Sequence, residues 1–323
     1  MRPSPIELAR LVIASCVWAG RSPALWGAGE TGTLDDAVAE LRESVASFPS
    51  LEEASIASDT AARWSQRRRE VRRLLLSRDP STFLTWTPIV RSMTFGLLPW
   101  IRTEFRALRH SGEWEARWRD ALPENRAGLP MPSHVYPLSS GTLIHHAHHV
   151  HRFECATGRA IGDFPAIVEF GGGYGSMARL VARVGFRGPY HIHDLPEFSA
   201  LQRFYLRSVR AELGGGEAAE TLSRVTLSSR REDELPREDE TSGALFLATW
   251  SLGETPIWLR EEWRPTLAGF RFFLIGFHDR FEGIDNLTWF KDLAASRKDV
   301  EWRLERIRHR RESLHYLFGS PSS

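Results

Sequence analysis

Glu169, a run of glycines, Asp194, and the later pair Glu254 and His278 hold most of the chemistry that this chain's residue types and spacing offer. The densest stretch is Ile167-Val-Glu-Phe-Gly-Gly-Gly-Tyr-Gly175. Ile167, Val168 and Phe170 read as a short buried strand that delivers Glu169 to a turn. Gly171, Gly173 and Gly175 recur at every second position, and Met177, Leu180, Val181 and Val184 follow at helical spacing. Such a strand–turn–helix unit presents backbone N–H groups and a helix N-terminus to a ligand, and the missing Cβ atoms let the main chain come close. One βαβ unit downstream, Tyr190-His-Ile-His-Asp194 reads as a second strand ending in an acid, the place where a ribose diol is held by charge-assisted hydrogen bonds. Taken alone, Asp194 also suits the N-cap of a helix opening at Pro196.

Spacing narrows the ligand. A dinucleotide fingerprint needs a glycine at 176, where Ser176 stands, and the chain has no Gly-Lys pair for a phosphate-binding P-loop. An NAD-dependent oxidoreductase on a Rossmann sheet is therefore the disfavoured alternative. An acid, one residue, then G-x-G-x-G is similar to the nucleotide loop of class I S-adenosyl-L-methionine (SAM) methyltransferases. A carboxylate beside the turn suits that ligand's ammonium and sulfonium and would repel a pyrophosphate. The resemblance implies SAM as cofactor, held by Glu169, Gly171, Gly173, Tyr174, Gly175, Asp194 and Leu195, with Thr249 and Trp250 near its methionine end. Methyl transfer to a hydroxyl also needs alignment and a base. Glu254 and His278 each stand just past a sheet strand. Histidine titrates near neutrality, whereas Glu254 needs burial to raise its pKa. Both stay open as the base, and each also reads as an ordinary loop or helix-start residue. An acceptor carboxylate would need no base.

The elements that must position these groups alternate. Val225–Leu227, Gly243–Trp250 and Phe270–Phe277 read as further strands, and Trp302–Ile307 with Leu314–Phe318 as a terminal pair. Helices are expected over Phe198–Leu213, from Ile257, and over Ile284–Ala295, and a charged loop over 230–240. The expected fold is α/β: a Rossmann-like sheet with helices on both faces, closing as the class I methyltransferase version does, preceded by an all-helical N-terminal domain. The proline- and glycine-rich stretch 122–141 separates residues 1–130 from the SAM-binding domain over 131–323.

Within 1–130, Leu8–Ala19 reads as a buried amphipathic helix, with no stretch long enough to span a membrane. Leu34–Ser47 and Asp59–Leu76 are helical by period. The arginines at 67, 68, 69, 72 and 73 read as a solvated face. A tryptophan-rich region from Trp86 to Trp118 reads either as core or as the wall of a pocket. Histidines at 145, 146, 148, 149 and 151 fall on the helix leading into the first strand. No metal is expected there, because adjacent histidines point to different faces and one helix rarely fills a site. Instead, one of them is expected to face the active site.

Composition excludes other classes. The net charge of +1 over 323 residues argues against a nucleic-acid or membrane role driven by bulk charge. Only two cysteines, Cys16 and Cys155, point to a reducing, cytoplasmic setting.

A closer resemblance rests on Glu169-Phe-Gly-Gly-Gly-Tyr-Gly175, His193-Asp-Leu-Pro-Glu197, Leu201-Gln202 with Phe204-Tyr-Leu206, and Ser251-Leu-Gly-Glu254. Together these resemble the sugar O-methyltransferase family over roughly residues 142–280. The resemblance implies O-methylation of a hydroxyl on a sugar or secondary metabolite. Its alternative is a carboxylate of a natural product or modified peptide. It also implies N-terminal helices that act as a substrate lid or pair two copies of the chain.

Overall fold

The computed structural model describes residues 5–18, 34–51, 59–229 and 241–322. The loop expected over 230–240 lies outside the described residues. Five parallel strands form the middle of the fold: β1 (Ile167–Phe170), β2 (Tyr190–His193), β3 (Val225–Ser228), β4 (Leu245–Thr249) and β5 (Phe272–His278). A short hairpin, β6 (Arg280–Phe281) and β7 (Ile284–Asp285), follows. Strands β8 (Val300–Arg306) and β9 (Leu314–Pro321) then close the sheet antiparallel, in the order β3-β2-β1-β4-β5-β9-β8.

Register explains why the site residues meet. Phe170 pairs with His193, Glu169 with Leu247, and Thr249 with Gly276. The carboxyl ends of β1, β2, β4 and β5 therefore share one edge. That edge carries Glu169, Asp194, Trp250 and His278.

Alternation along the strands splits the core between the two faces. Ile167, Ile192, Leu245, Leu247 and Leu274 join one cluster with the helices Gly141–Thr157, Ser176–Arg183 and Pro196–Leu213. Val168, Phe170, Phe246, Phe273, Ile275 and Phe277 join the other with Ile257–Ala268 and Asn286–Ser296. The first cluster runs on into the N-terminal helices through Leu41, Leu75, Trp86, Ile101 and Trp118. Trp86, Trp114 and Trp118 are buried, so these tryptophans are core rather than pocket wall.

Three expectations need correction. The helix Pro5–Trp18 forms, but Ile6, Leu8, Val12 and Ile13 are exposed, so it is not a buried helix. The arginine-rich face of Asp59–Ser77 is not simply solvated. Arg68 and Arg72 both bond Glu197, whose side chain is fully buried at the start of the helix Pro196–Leu213. A helix over Gly216–Ser223, with Gly215 as its N-cap, follows the C-cap Gly214, where the glycine run reads only as a stop. Among the described residues no helix is long and apolar enough to cross a membrane.

Candidate functional site

The glycine turn is built under constraint from both sides. Gly171 has φ 74° and its own N–H bonds His193 O at 2.8 Å, while the β4 loop crosses it so closely that a Cβ would collide with Ser251. Ser251 Oγ in turn donates to Phe170 O. Gly172 lacks a positive φ, yet a Cβ there would lie 2.5 Å from Ile192 Cγ2 and 3.0 Å from Glu169 Oε2. Beneath the turn, Glu169 is buried and accepts from Tyr190 Oη at 2.8 Å. Burial pushes its carboxyl up to about 8, against the lowering effect of that bond. The helix Ser176–Arg183 begins after Gly175, in left-handed conformation, with no side chain capping it.

Asp194 faces this turn. Its Oδ2 accepts from Gly173 N at 3.1 Å and Gln202 Nε2 at 2.8 Å, and its Oδ1 accepts from Leu195 N at 2.7 Å. Gln202 also donates to Gly173 O at 3.0 Å, so one amide ties the acid and the turn together. Burial raises the Asp194 carboxyl to about 7 despite these three donors. Because Oδ2 already takes two bonds, the lone pair left over is on Oδ1. The turn thus sits where the chain reverses between the two halves of the sheet, at the carboxyl ends of its strands.

The fold is Rossmann-like.

At the next tips of this sheet, Thr249 ends β4 half-buried, and Trp250 adopts φ 56°, an outlier for a bulky side chain. That backbone turns the indole toward the histidine helix, where Nε1 donates to His145 Nε2 at 3.0 Å and His149 Nε2 at 3.2 Å. The Trp250 ring also lies 5.3 Å from that of His278. His278 and Glu254 come together, Nδ1 to Oε1 at 3.9 Å. Burial holds the Glu254 carboxyl up at about 8 and pushes the His278 imidazole below its ordinary value. Among the described residues, His278 Nδ1 has no hydrogen-bond partner.

The N-terminal helices approach this end of the sheet. Trp64 Nε1 donates to Glu254 O at 3.1 Å, and Arg63 pairs with Glu282 on the β6–β7 turn. A Cβ on Gly173 would lie 3.8 Å from Met93. Arg63, Arg67 and Arg91 line a cavity of about 230 Å³ between the helices Asp59–Ser77 and Thr87–Met93.

No protein-family model matches the chain, and no curated protein matches it. Among solved structures, the methyltransferase domain of bacterial CtHen1-C is 12% identical with a TM-score of 0.42, over 55% of this chain and 97% of that one. The glycopeptide N-methyltransferase MtfA is 12% identical with a TM-score of 0.39, over 54% and 94%. Magnesium protoporphyrin IX methyltransferase (ChlM) from Synechocystis PCC 6803, with bound SAM, is 12% identical with a TM-score of 0.37, over 71% and 100%. At that level of likeness none of their activities transfers to this chain.

The structure separates roles that the motif merges. Tyr174 leaves only its main chain at the turn, because its ring is buried against Phe83 and Tyr205 at 5.7 and 5.0 Å. Leu195 contributes its N–H to Asp194 and packs its side chain on the core. Sequence reading missed Arg260 and Asn286. Fully buried Arg260 donates to Gly253 O, Thr255 O and Asn286 Oδ1 at 2.8 Å each, and Asn286 Nδ2 donates to His278 O at 2.8 Å. This network fixes the loops that carry Glu254 and His278. An arginine in a helix carries no local signal of such a role, since its partners come from the flanking loop and from another helix.

Proposed function

We propose that the chain is a SAM-dependent O-methyltransferase acting on a hydroxyl of a sugar or secondary metabolite. One observation carries the reading: the glycine turn clamped by Asp194 and the Glu254–His278 pair stand on the same edge of one parallel sheet. The residues fit the cofactor. Glu169 and the free lone pair on Asp194 Oδ1 suit an ammonium and a ribose hydroxyl, and the uncapped helix start after Gly175 suits a carboxylate. The sulfonium of bound SAM supplies an activated methyl group. The protein's part is to align the acceptor oxygen and remove its proton. His278, kept neutral by burial and with Nδ1 unpartnered among the described residues, takes that proton. An imidazolium at His278 draws the Glu254 carboxyl, 3.9 Å from Nδ1, toward its ionised form, and that carboxylate offsets the new charge. Arg260 and Asn286 hold both loops in place.

A carboxylate acceptor is the second reading: Arg63, Arg67 and Arg91 outnumber the one acid, Glu70, in the cavity lining. The N-terminal helices serve as a lid over the acceptor or as a dimer contact, which light scattering resolves.

Calorimetry with S-adenosyl-L-homocysteine tests the cofactor: Asp194→Ala should weaken binding by roughly 10- to 100-fold, the worth of hydrogen bonds to a charged group, while circular dichroism stays unchanged. Unaltered affinity removes the assignment. His278→Asn should slow single turnover without changing cofactor affinity, and the acid limb of the wild-type rate should fall below the ordinary imidazole range. Normal turnover in His278→Asn and in Glu254→Gln rejects the base and selects the carboxylate acceptor.

A further inference from the structure

We propose that Glu104, His148 and His309 form a binding site for a divalent transition-metal ion, beside the candidate acceptor region. Three separate elements bring these groups together. Glu104 comes from the helix Ile101–Arg109, His148 from Gly141–Thr157, and His309 from the turn between β8 and β9. One ligand atom from each lies within 4.8 Å of the others. His309 Nε2 is 2.8 Å and His148 Nδ1 3.7 Å from Glu104 Oε1. Donors around a tetrahedral ion at about 2.0–2.2 Å stand roughly 3.3–3.5 Å apart, so small side-chain adjustments admit one.

The donor chemistry selects the ion. Two imidazoles and one carboxylate suit zinc, iron(II), cobalt(II) or manganese(II) over magnesium or calcium, which take oxygen ligands. Glu104 is fully buried, and among the described residues its ion-pair partners are three imidazoles, with no arginine or lysine at that distance. Burial makes the Glu104 carboxylate costly even with His309 and Arg310 near enough to favour its charge, and a divalent cation offsets that cost.

The surroundings orient the ligands as a metal's outer shell does. Trp250 Nε1 can only donate, so His145 Nε2 and His149 Nε2 must both accept. His145 Nδ1 therefore carries its proton and donates to Glu104, 2.9 Å from each oxygen. His149 Nδ1–H likewise donates to Tyr316 Oη at 2.7 Å, which leaves the Tyr316 proton free to point at His148 Nδ1, 3.5 Å away. That chain leaves His148 Nδ1 unprotonated, and an ion bound there takes the lone pair in place of the long Tyr316 contact. The histidine helix supplies one ligand, in keeping with the rule that one helix rarely fills a site; the other two come from distant parts of the chain. The same hydrogen bonds run to Trp250, so an ion here would also fix the indole beside His278.

The test uses the full chain without a polyhistidine tag. After chelator treatment and dialysis, cobalt(II) is titrated in and followed by visible absorption, and metal content is measured after reloading with zinc. Wild type should bind one ion per chain and develop d–d bands. His309→Ala and Glu104→Gln should each weaken binding by more than about 10-fold, whereas His151→Ala, on the same helix but outside the cluster, should bind as wild type does. Circular dichroism of each variant shows that it is folded. His309 is partly exposed in a turn, so its variant reports on the site even if Glu104→Gln does not fold. A folded wild type that takes up no stoichiometric ion overturns the proposal. So does undiminished binding in His309→Ala.

Discussion

Gly172 shows how a single side-chain atom decides the shape of the turn. The motif reads Gly171, Gly173 and Gly175 because they fall on alternate positions, and each adopts a positive φ. Gly172 belongs to no such pattern, yet a Cβ there would meet Ile192 Cγ2 at 2.5 Å, in a buried residue that has no room to move. Gly172→Ala should therefore destabilise by about 1–3 kcal/mol through overpacking. If the turn holds SAM as proposed, the variant should also bind it more weakly, since the same Cβ presses on the Glu169 carboxylate. Urea unfolding is the measurement. A variant within about 0.5 kcal/mol of wild type, the range of an ordinary surface change, would show that the turn has slack that the geometry denies. Asp194 teaches a related lesson. Its type and position suggest a ligand group, and the role the structure shows is that of a strut, through its bonds to Gly173 and Gln202.

Elements were legible where their pattern was local. The strands announced themselves as short apolar runs between turn residues, and β1, β2, β4 and β5 lie within a few residues of where periodicity places them. The helix Gly216–Ser223 escaped because a glycine run that ends one helix also hides the start of the next. Contacts between distant elements left no trace at all. Nothing near Glu197 announces that Arg68 and Arg72, 129 and 125 residues away, dock on it. That contact pins the arginine-rich helix to the start of the helix that follows Asp194. Glu197→Gln leaves two guanidinium groups without their anion. Both arginines keep some access to water, so the cost should be about 3 kcal/mol, the low end for breaking a buried pair. Denaturant titration reads it directly, and a loss below about 1 kcal/mol, the worth of a surface pair, would mean that the helix docks by apolar packing instead.

The whole molecule carries an unusual load of buried acids at one end, and its stability should follow pH accordingly. Burial raises Glu169 and Glu254 to about 8 and Glu104 and Asp194 to about 7. Each pKa lies above its unfolded value, so between roughly pH 4.5 and 8 the folded chain keeps protons that the unfolded chain has released. Stability from these groups is complete at low pH and is lost as pH rises through the folded values. The buried histidines His145, His146, His148 and His149 act in the opposite sense. Their lowered pKa values cost stability as pH falls below about 6.5, where the unfolded chain takes up protons that they refuse. Above that pH the histidine contribution is constant and only the acids still titrate. The ligand-free protein should therefore lose stability between about pH 6.5 and 8.5, by on the order of a few kcal/mol, since a tenfold change in one proton affinity is worth about 1.4 kcal/mol. Glu169→Gln should flatten part of that decline. If SAM binds as proposed, saturating SAM should flatten it further, because a cationic ligand favours the ionised carboxylates that burial disfavours, and calorimetry in buffers of different ionisation enthalpy should register protons released on binding. A urea midpoint that climbs steadily from pH 6.5 to 8.5 without ligand would mean that these acids are already ionised, and the electrostatic account of the cofactor site would fall with it.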